Sequence, residues 1–576
     1  MTVILGLRSK HDASAALVID GELVAAANEE RFTRRKHHFG FPRLAIEFVL
    51  AQAGLRAEQV DVVARDGIPA IKTVKRLMRQ MLSAWTPRLY SEVLRAARDR
   101  YIYRRRGVQG SEEQHLTEMG FAPRWHFVEH HLGHAAYSYY ASGLEDALVV
   151  VLDGRGHYLG GAIYVGRAGR LSVLSEIMAE GGSLGLFYSA ITDTLGFQVG
   201  DGDGKTMGLA CYGEPQAALR DLEPFAPTVT GLDLRHPREW QLDTEVIRDR
   251  LYGHYREAAT LRLLTDKHGE ANLAASAQHI LEDRIQQLVV NAVRATGLRQ
   301  LVGGGGVFLN VKASKMLLDQ QVVDTIYVAP GPGDEGLAAG YALAAHAHYV
   351  GRPKPLASPY LGPGYDASEV LAALEDTAGI TYERLTNTAE TTAELIANGQ
   401  VVGWFQGRME WGPRALGSRS VLADPRDPNM RDRINHLLKK RDWFMPFAPS
   451  VLAEYCDDCF VNYRPSPYMN LAFSMRPPYD TLVPAITHVD NTARPQAVNR
   501  DTNPVYYDVI NAFRCRTGIP LILNTSFNRH GLPIVCTPQH AIEHLIWGAI
   551  DVLIVGSYLV RRIGDPKPPP DKRSIH

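Results

Sequence analysis

His130 and His134 stand four residues apart in Glu129-His130-His131-Leu132-Gly133-His134-Ala135-Ala136. On a helix, side chains at i and i+4 share a face, so both imidazoles could reach one metal ion. The apolar run Leu148 to Leu152 then meets Asp153-Gly154. A buried strand stopping there would carry a carboxylate at its C-terminal end, where α/β sheets build their sites. A second such pattern leads through Ala329-Pro330-Gly331-Pro332-Gly333 to Asp334-Glu335-Gly336. Two imidazoles and two carboxylates from separate segments suit a mononuclear metal site with room for a substrate oxygen. Taken alone, the histidine pair reads more readily as a surface or capping pair than as a metal site; its sequence context and the two strand-end aspartates favour the metal. A metalloprotease is excluded, because the stretch lacks HExxH and its general-base Glu.

A second group of residues could handle anions. Gly407 to Ser420 holds Arg408, Arg414 and Arg419 among Gly407, Gly412 and Gly417, with Glu410 between. Arginines in a Gly-rich turn offer planar donors to phosphate or carboxylate. Lys439-Lys440-Arg441 follows, and later Ile522-Leu523-Asn524-Thr525-Ser526-Phe527-Asn528 reads as a strand running into amides and a hydroxyl. Cations would neutralise ligand charge while Asn and Ser fix orientation; surface ion pairs and caps are the bland alternative. Gly303-Gly304-Gly305-Gly306 lies between a strand and a helix, where backbone N–H groups can approach an anion. A tight turn explains those glycines as well.

These residues need a large scaffold. The chain has 576 residues, 45% apolar and 22% charged, which implies a soluble protein of two or three domains. A net charge of −1 gives no global field toward nucleic acid or an anionic membrane. Five scattered cysteines, Cys211, Cys456, Cys459, Cys515 and Cys536, are expected to be reduced. The N-terminus opens on a strand pattern, Val3 to Leu7, without the basic and apolar regions of a leader; no run of eighteen apolar residues occurs. A cytoplasmic location is therefore expected.

The first 174 residues contain an echo. Val3–Leu7, Ala15–Ile19 and Leu23–Ala27 are answered by Ala147–Leu152, Gly161–Val165 and Leu171–Leu174, each series with Asp-Gly punctuation. A duplicated three-stranded start resembles the actin and sugar-kinase ATPase (ASKHA) fold, whose cleft holds nucleotide phosphates. Residues 72 to 106 form a basic insertion, expected as a solvated helical pair. Ala271 to Ala295 reads as a long helix. Pro/Gly-rich residues 353–365 mark a linker, which sets domains at 1–352 and 366–576. The tail from Pro566 to Arg573 is expected to be disordered.

The motifs HDASAALVIDG (11–21), EERFTRRKH (29–37), EHHLGHAA (129–136), GDGKTMGLACYG (202–213), GGGGVFLN (303–310), APGPGDEG (329–336), GRMEWGPRALGSRS (407–420), RDWFMPFAPS (441–450) and NTSFN (524–528) run in order along the chain. In this it resembles the NodU/CmcH-type O-carbamoyltransferase family, which includes antibiotic carbamoyltransferases. The resemblance implies an α/β (α+β mixed) protein with an actin-like ATPase N-terminal domain and a YrdC-like twisted-sheet C-terminal domain. It implies that the second domain makes carbamoyl adenylate from carbamoyl phosphate and ATP. The first would then pass the carbamoyl group to a hydroxyl of a small-molecule acceptor, expected to be a natural-product sugar.

Carried over by position, His130, His134, Asp153 and Asp334 match the family's metal ligands, with iron expected and Mn or Zn equally suited by ligand type. His11 matches the general base, with Asp12 beside it. Lys205, Gly304, Gly305 and Asn310 fall where the first domain would contact nucleotide. Arg414, Arg419, Lys439, Arg441, Asn524, Ser526 and Asn528 fall where the second would bind carbamoyl phosphate and ATP, with Mg accompanying ATP. Met445 replaces an arginine found in one version of the family, so one cation is absent there. Nucleic acid and membrane are not expected as partners, and oligomeric state, a homodimer included, stays open. Two other readings are an actin-like ATPase scaffold, which would cleave ATP without carbamoyl phosphate, and a tRNA-modifying carbamoyl enzyme, against which the missing basic face argues.

Overall fold

A computed structural model describes residues 1–83, 109–235, 242–247, 250–439 and 442–567. The chain divides into two compact units, Met1–Glu29 with His37–Leu356, and Glu30–Lys36 with Ala357–His576. Both are mixed α/β, the class the sequence implies. Among the described residues no helix is long and apolar enough to cross a membrane.

Unit 1 is built on two five-stranded sheets of the same design. In the first, β1 (Val3–Arg8) is followed by β2 (Ser14–Ile19), β3 (Glu22–Asn28), β4 (Val62–Asp66) and β5 (Arg124–Val128). The order is β3-β2-β1-β4-β5; β1, β2 and β3 pair antiparallel, and β4 and β5 add in parallel. In the second, β6 (Ala147–Gly156), β7 (Leu159–Arg167) and β8 (Arg170–Met178) form the antiparallel part, and β9 (Gln300–Gly304) and β10 (Thr325–Val328) the parallel part. Its order is β10-β9-β6-β7-β8, the same arrangement read from the other edge. The echo in the sequence is thus a repeated topology. β1 and the first six residues of β6 are wholly buried, as strands covered on both faces should be.

Four helices of unit 1 bear on the site: α1 (Ala70–Ser83), α2 (His130–Ser142), α3 (Glu270–Thr296) and α4 (Leu337–Tyr349). α3 covers the long helix expected at 271–295. α1 begins the basic insertion; 84–106, the rest of it, lies outside the described residues. α2 and α4 pack through glycines. A Cβ on Gly340 would lie 2.0 Å from the Gly133 carbonyl oxygen, and one on Gly133 would lie 2.6 Å from Tyr341. That close approach brings the first turns of α2 beside the turn that precedes α4.

Unit 2 carries one eight-stranded mixed sheet. Its strands are β11 (Ile380–Arg384), β12 (Val402–Phe405), β13 (Arg419–Ala423), β14 (Ala448–Leu452), β15 (Gln496–Val498), β16 (Leu521–Ser526), β17 (Val552–Val555) and β18 (Tyr558–Arg562). Their order is β11-β18-β17-β12-β13-β16-β14-β15. The segment Glu30–Lys36, which a boundary at the Pro/Gly linker leaves in the first domain, packs on this unit. Arg31 donates to the Gly412 carbonyl at 3.1 Å, Arg34 donates to that of Ile534 at 2.8 Å, and Phe32 packs on Met409, Ile534 and Cys536. The tail beyond residue 567 lies outside the described residues. The five cysteines are free.

Candidate functional site

The Glu129 side chain caps α2, accepting the Leu132 N–H at 2.9 Å, and so starts the helix one residue before His130. His130 and His134 then occupy one face, with their Nε2 atoms 3.2 Å apart. β6 runs past Asp153 to Gly156 with a register break between Leu152 and Gly156, so Asp153 leaves the regular ladder without ending the strand. Its Oδ2 lies 3.1 Å from His130 Nε2 and 3.7 Å from His134 Nε2. Asp334 opens the short turn before α4, with Oδ1 3.3 Å from both Nε2 atoms.

One donor atom from each of these four residues lies within 4.8 Å of every other. A divalent ion with bonds of about 2.0–2.2 Å sets tetrahedral ligands about 3.4 Å apart, so the spacing fits one ion. Asp334 Oδ1 is buried and accepts no hydrogen bond in the structure, as an oxygen turned toward a cation would be. His130 and His134 are 4% and 1% exposed. Burial pushes His130 down to about 4. Burial acts on His134 too, but the Asp153 and Asp334 carboxylates carry it up to about 9. Against the push of burial, the histidines hold Asp153 below the usual carboxylate range, and Arg8 and His130 do the same for Asp334. The donor set, two imidazoles and two carboxylates, suits Fe, Mn or Zn.

Beside the four donors stands the end of β1. Arg8, with its side chain 2% exposed, pairs with Asp334 Oδ2, and its Nη2 lies 3.1 Å from His11 Nε2. A guanidinium can only donate, so in the neutral His11 ring Nε2 accepts and Nδ1–H faces Asp12 Oδ2 at 3.1 Å. His11 Nε2 also lies 3.1 Å from Asp334 Oδ2. Asp12 Oδ1 meets His37 Nδ1 at 2.7 Å. Burial opposes the Asp12 charge, yet His37 and His11 hold its carboxyl well below the usual range. Arg8 and His37 are members of this site that sequence reasoning did not single out. The available signal was position: Arg8 precedes His11 by three residues, and His37 closes the EERFTRRKH motif.

The other residues expected in unit 1 have varied surroundings. Gly304 ends β9, and the Gly305 N–H donates to the Pro332 carbonyl at 2.9 Å. The next amide, Gly306, donates to Asp153 Oδ1 at 3.2 Å, so this turn already serves one carboxylate. Asn310 caps the following helix at Ala313 and exchanges hydrogen bonds with Gln278. Lys205 sits on the helix Asp203–Leu209 with its ammonium 5.3 Å from the Phe197 ring centre.

In unit 2 the structure brings Lys439, Ser526 and Asn528 together. Lys439 Nζ donates to Ser526 Oγ and Asn528 Oδ1, each at 3.0 Å, and Ser526 Oγ donates to Asn528 Oδ1 at 2.7 Å. Arg414 is half-buried on the Gly-rich loop, and Arg441 lies outside the described residues. Arg419 does otherwise than its motif suggests. It is 0% exposed, its two Nη atoms donate to the carbonyls of Pro363, Gln406, Gly407 and Ser418, and its guanidinium carbon is 3.6 Å from the Phe405 ring centre. It braces the loop from inside. Glu410 does the same, accepting the N–H groups of Leu416, Ser418 and Arg419. Asn524 is 1% exposed and donates to Ala415, Ser450 and Gln496.

Comparison with known proteins agrees with this two-unit plan. The family described as carbamoyltransferase N-terminus matches residues 3–343, and that described as carbamoyltransferase C-terminus matches residues 393–562. An uncharacterized protein of Synechocystis sp. is 35% identical, with 100% of this chain and 99% of its own length covered. Nodulation protein NolNO of Sinorhizobium fredii is 36% identical over 96% of this chain and 79% of its own. Among solved structures, full-length HypF in its phosphate- and nucleotide-bound form aligns over 61% of this chain and 47% of its own, at 14% identity and a TM-score of 0.33, too distant a likeness to bear on fold or function. The chain therefore belongs to the carbamoyltransferase family, holding both its N-terminal and its C-terminal parts, and is a carbamoyl-transferring enzyme.

Proposed function

We propose that this chain is an ATP-dependent O-carbamoyltransferase working in two stages. Unit 2 lets water cleave carbamoyl phosphate to carbamate and phosphate, and the carbamate oxygen attacks the ATP α-phosphorus to give carbamoyl adenylate and pyrophosphate. In unit 1 a hydroxyl of a small-molecule acceptor attacks the carbamoyl carbon, and AMP leaves. The duplicated sheets of unit 1 are of the actin-like ATPase design, and unit 2 is the YrdC-like partner. The observation that carries the reading is the cluster His130, His134, Asp153 and Asp334 in the N-terminal half of a carbamoyltransferase.

The four side chains would hold a divalent metal, iron by family resemblance. Once bound, the metal supplies Lewis-acid withdrawal of charge from a phosphate oxygen. The protein's own residues do the rest. His11 Nε2, kept as the acceptor by Asp12 at Nδ1, takes the proton of the attacking hydroxyl. Arg8 holds Asp334 and, before the acceptor arrives, His11 Nε2; its hydrogen bond to that nitrogen gives way as the hydroxyl donates there. In unit 2 the cationic Lys439, with Ser526 and Asn528 around it and Arg414 on the loop, offers the charge that a phosphate ligand requires.

Pyrophosphate release from ATP, measured with and without carbamoyl phosphate, tests the proposal. Release that requires carbamoyl phosphate is the expected result, and Lys439→Met should abolish it. ADP formed regardless of carbamoyl phosphate would favour the scaffold reading and end the adenylate scheme.

A further inference from the structure

Arg76 lies on α1, at the start of the basic insertion, yet it is only 5% exposed. Its guanidinium makes three contacts inside unit 1. Nη1 donates to Glu129 Oε1 at 3.3 Å and to the His157 carbonyl at 3.1 Å, and Nη2 donates to Glu176 Oε1 on β8 at 2.6 Å. The neighbouring Lys72 and Lys75 are exposed. The sequence alone does not distinguish these three cations; the structure turns one of them inward.

The first two contacts lie directly behind the donor cluster. Glu129 is the cap of α2, and its Oε2 holds the Leu132 N–H, which sets the first turn carrying His130 and His134. His157 occupies the turn that follows β6, in the left-handed region at φ 48°, and its Nδ1 accepts the His130 backbone N–H at 3.2 Å. β6 carries Asp153. One guanidinium therefore grips the helix that bears two of the four donors and the turn just past the strand that bears a third. Glu176 anchors it from the other side.

We infer that Arg76 is a positioning residue for the metal centre, and that α1 belongs to that centre's frame as well as to a surface insertion. The inference rests on the reading of the four donors as metal ligands. Glu129 is 7% exposed, and a buried carboxylate holds its charge only beside a cation or several donors. Without Arg76, the carboxylate loses its one arginine partner among these contacts and is left beside His131 Nδ1 at 3.4 Å, His157 Nδ1 at 3.7 Å and the Tyr164 hydroxyl. The cap would then loosen, the His157 carbonyl would lose its donor, and the helix and strand would be free to shift against each other. Residues behind the ligands that hold them in register commonly tune metal affinity about 10- to 100-fold.

Co(II) titration of the purified full chain, read by its visible absorption bands and by competition with a chelator, tests this. Arg76→Met should weaken Co(II) about 10- to 100-fold and alter the bands, while Arg76→Lys, which keeps a cation, should recover part of the affinity. Wild-type affinity and unchanged bands in Arg76→Met would overturn the inference. Should Arg76→Met fail to fold, by circular dichroism, Glu176→Ala, which removes the acceptor that anchors the guanidinium, decides by the same measure: weakened Co(II) supports the role and unchanged Co(II) refutes it. If the wild-type chain binds no Co(II), iron or zinc, the metal reading itself fails and the positioning role falls with it.

Discussion

Asp153 Oδ1 accepts the Gly306 N–H at 3.2 Å, which leaves Oδ2 turned toward the two histidines. The turn after β9 and the end of β6 are tied by this one carboxylate, and the tie decides which oxygen faces the donor cluster. Asp153→Asn should preserve it, because the amide oxygen can still accept from Gly306. The amide nitrogen then replaces Oδ2, and an amide NH2 does not ligate a cation. The expected outcome is a folded protein, by circular dichroism, with less than a tenth of the wild-type metal content by elemental analysis. Full metal content in Asp153→Asn would remove Asp153 from the ligand set.

The space beside His130 is equally constrained. A Cβ on Gly156 would lie 2.1 Å from His130 Cδ2 and 2.6 Å from Nε2, so Gly156→Ala must push the imidazole out of place. Overpacking of this kind costs about 1–3 kcal/mol, and here the displaced atoms belong to a ligand. Metal affinity should fall at least tenfold. Gly154→Ala is the control: its Cβ would meet nothing nearer than Leu186 Cδ2 at 3.8 Å, and binding should be unchanged. Equal affinities for the two variants would disconnect this approach from metal binding.

His11 separates the two proposed stages. Its ring touches Arg8, Asp12 and Asp334, all in unit 1. Loss of a general base typically costs about 10²–10⁴ in rate. His11→Ala should therefore lower carbamoyl transfer by that range while carbamoyl-phosphate-dependent pyrophosphate release stays normal. Transfer at the wild-type rate would show that His11 takes no proton.

Local signals were the legible ones. The i, i+4 histidines became one face of α2, and the echoed strand patterns became two sheets of one topology, because periodicity and strand pairing follow from residue type and spacing. What could not be read was where each polar group spends its hydrogen bonds. Arg419 and Asn524 sit in motifs that suggest ligand contact, but their donors serve carbonyls and side chains of unit 2. Asn310, expected at a nucleotide, spends its side-chain oxygen capping a helix at the Ala313 N–H. Arg8, His37 and Gly306 enter the unit 1 site through contacts spanning up to several hundred residues, and no local pattern carries such pairings. The placement of Glu30–Lys36 in unit 2 is of the same kind.

His544 makes the acid stability of unit 2 testable. The ring is 0% exposed and packs edge-on to Phe527 at 5.4 Å between centres. Nδ1–H donates to the His540 carbonyl at 2.7 Å, so Nε2 is the site left to protonate, and it is buried without a hydrogen bond. Burial pushes the group down to about 3. In the unfolded chain an imidazole titrates near 6.5, so below that pH the unfolded state binds the extra proton and the folded state does not. Stability is full above about pH 6.5 and falls as pH drops toward 3, by about 1.4 kcal/mol per unit for this group. Between pH 7 and pH 5 the wild-type protein should lose about 2 kcal/mol that His544→Leu does not lose. Urea unfolding of the full chain at the two pH values, followed by fluorescence, gives the comparison. The variant starts lower at pH 7, having lost a buried hydrogen bond, so the quantity that decides is the change with pH. An equal change in both proteins would mean that His544 is protonated, or relieved of its burial, before the chain unfolds.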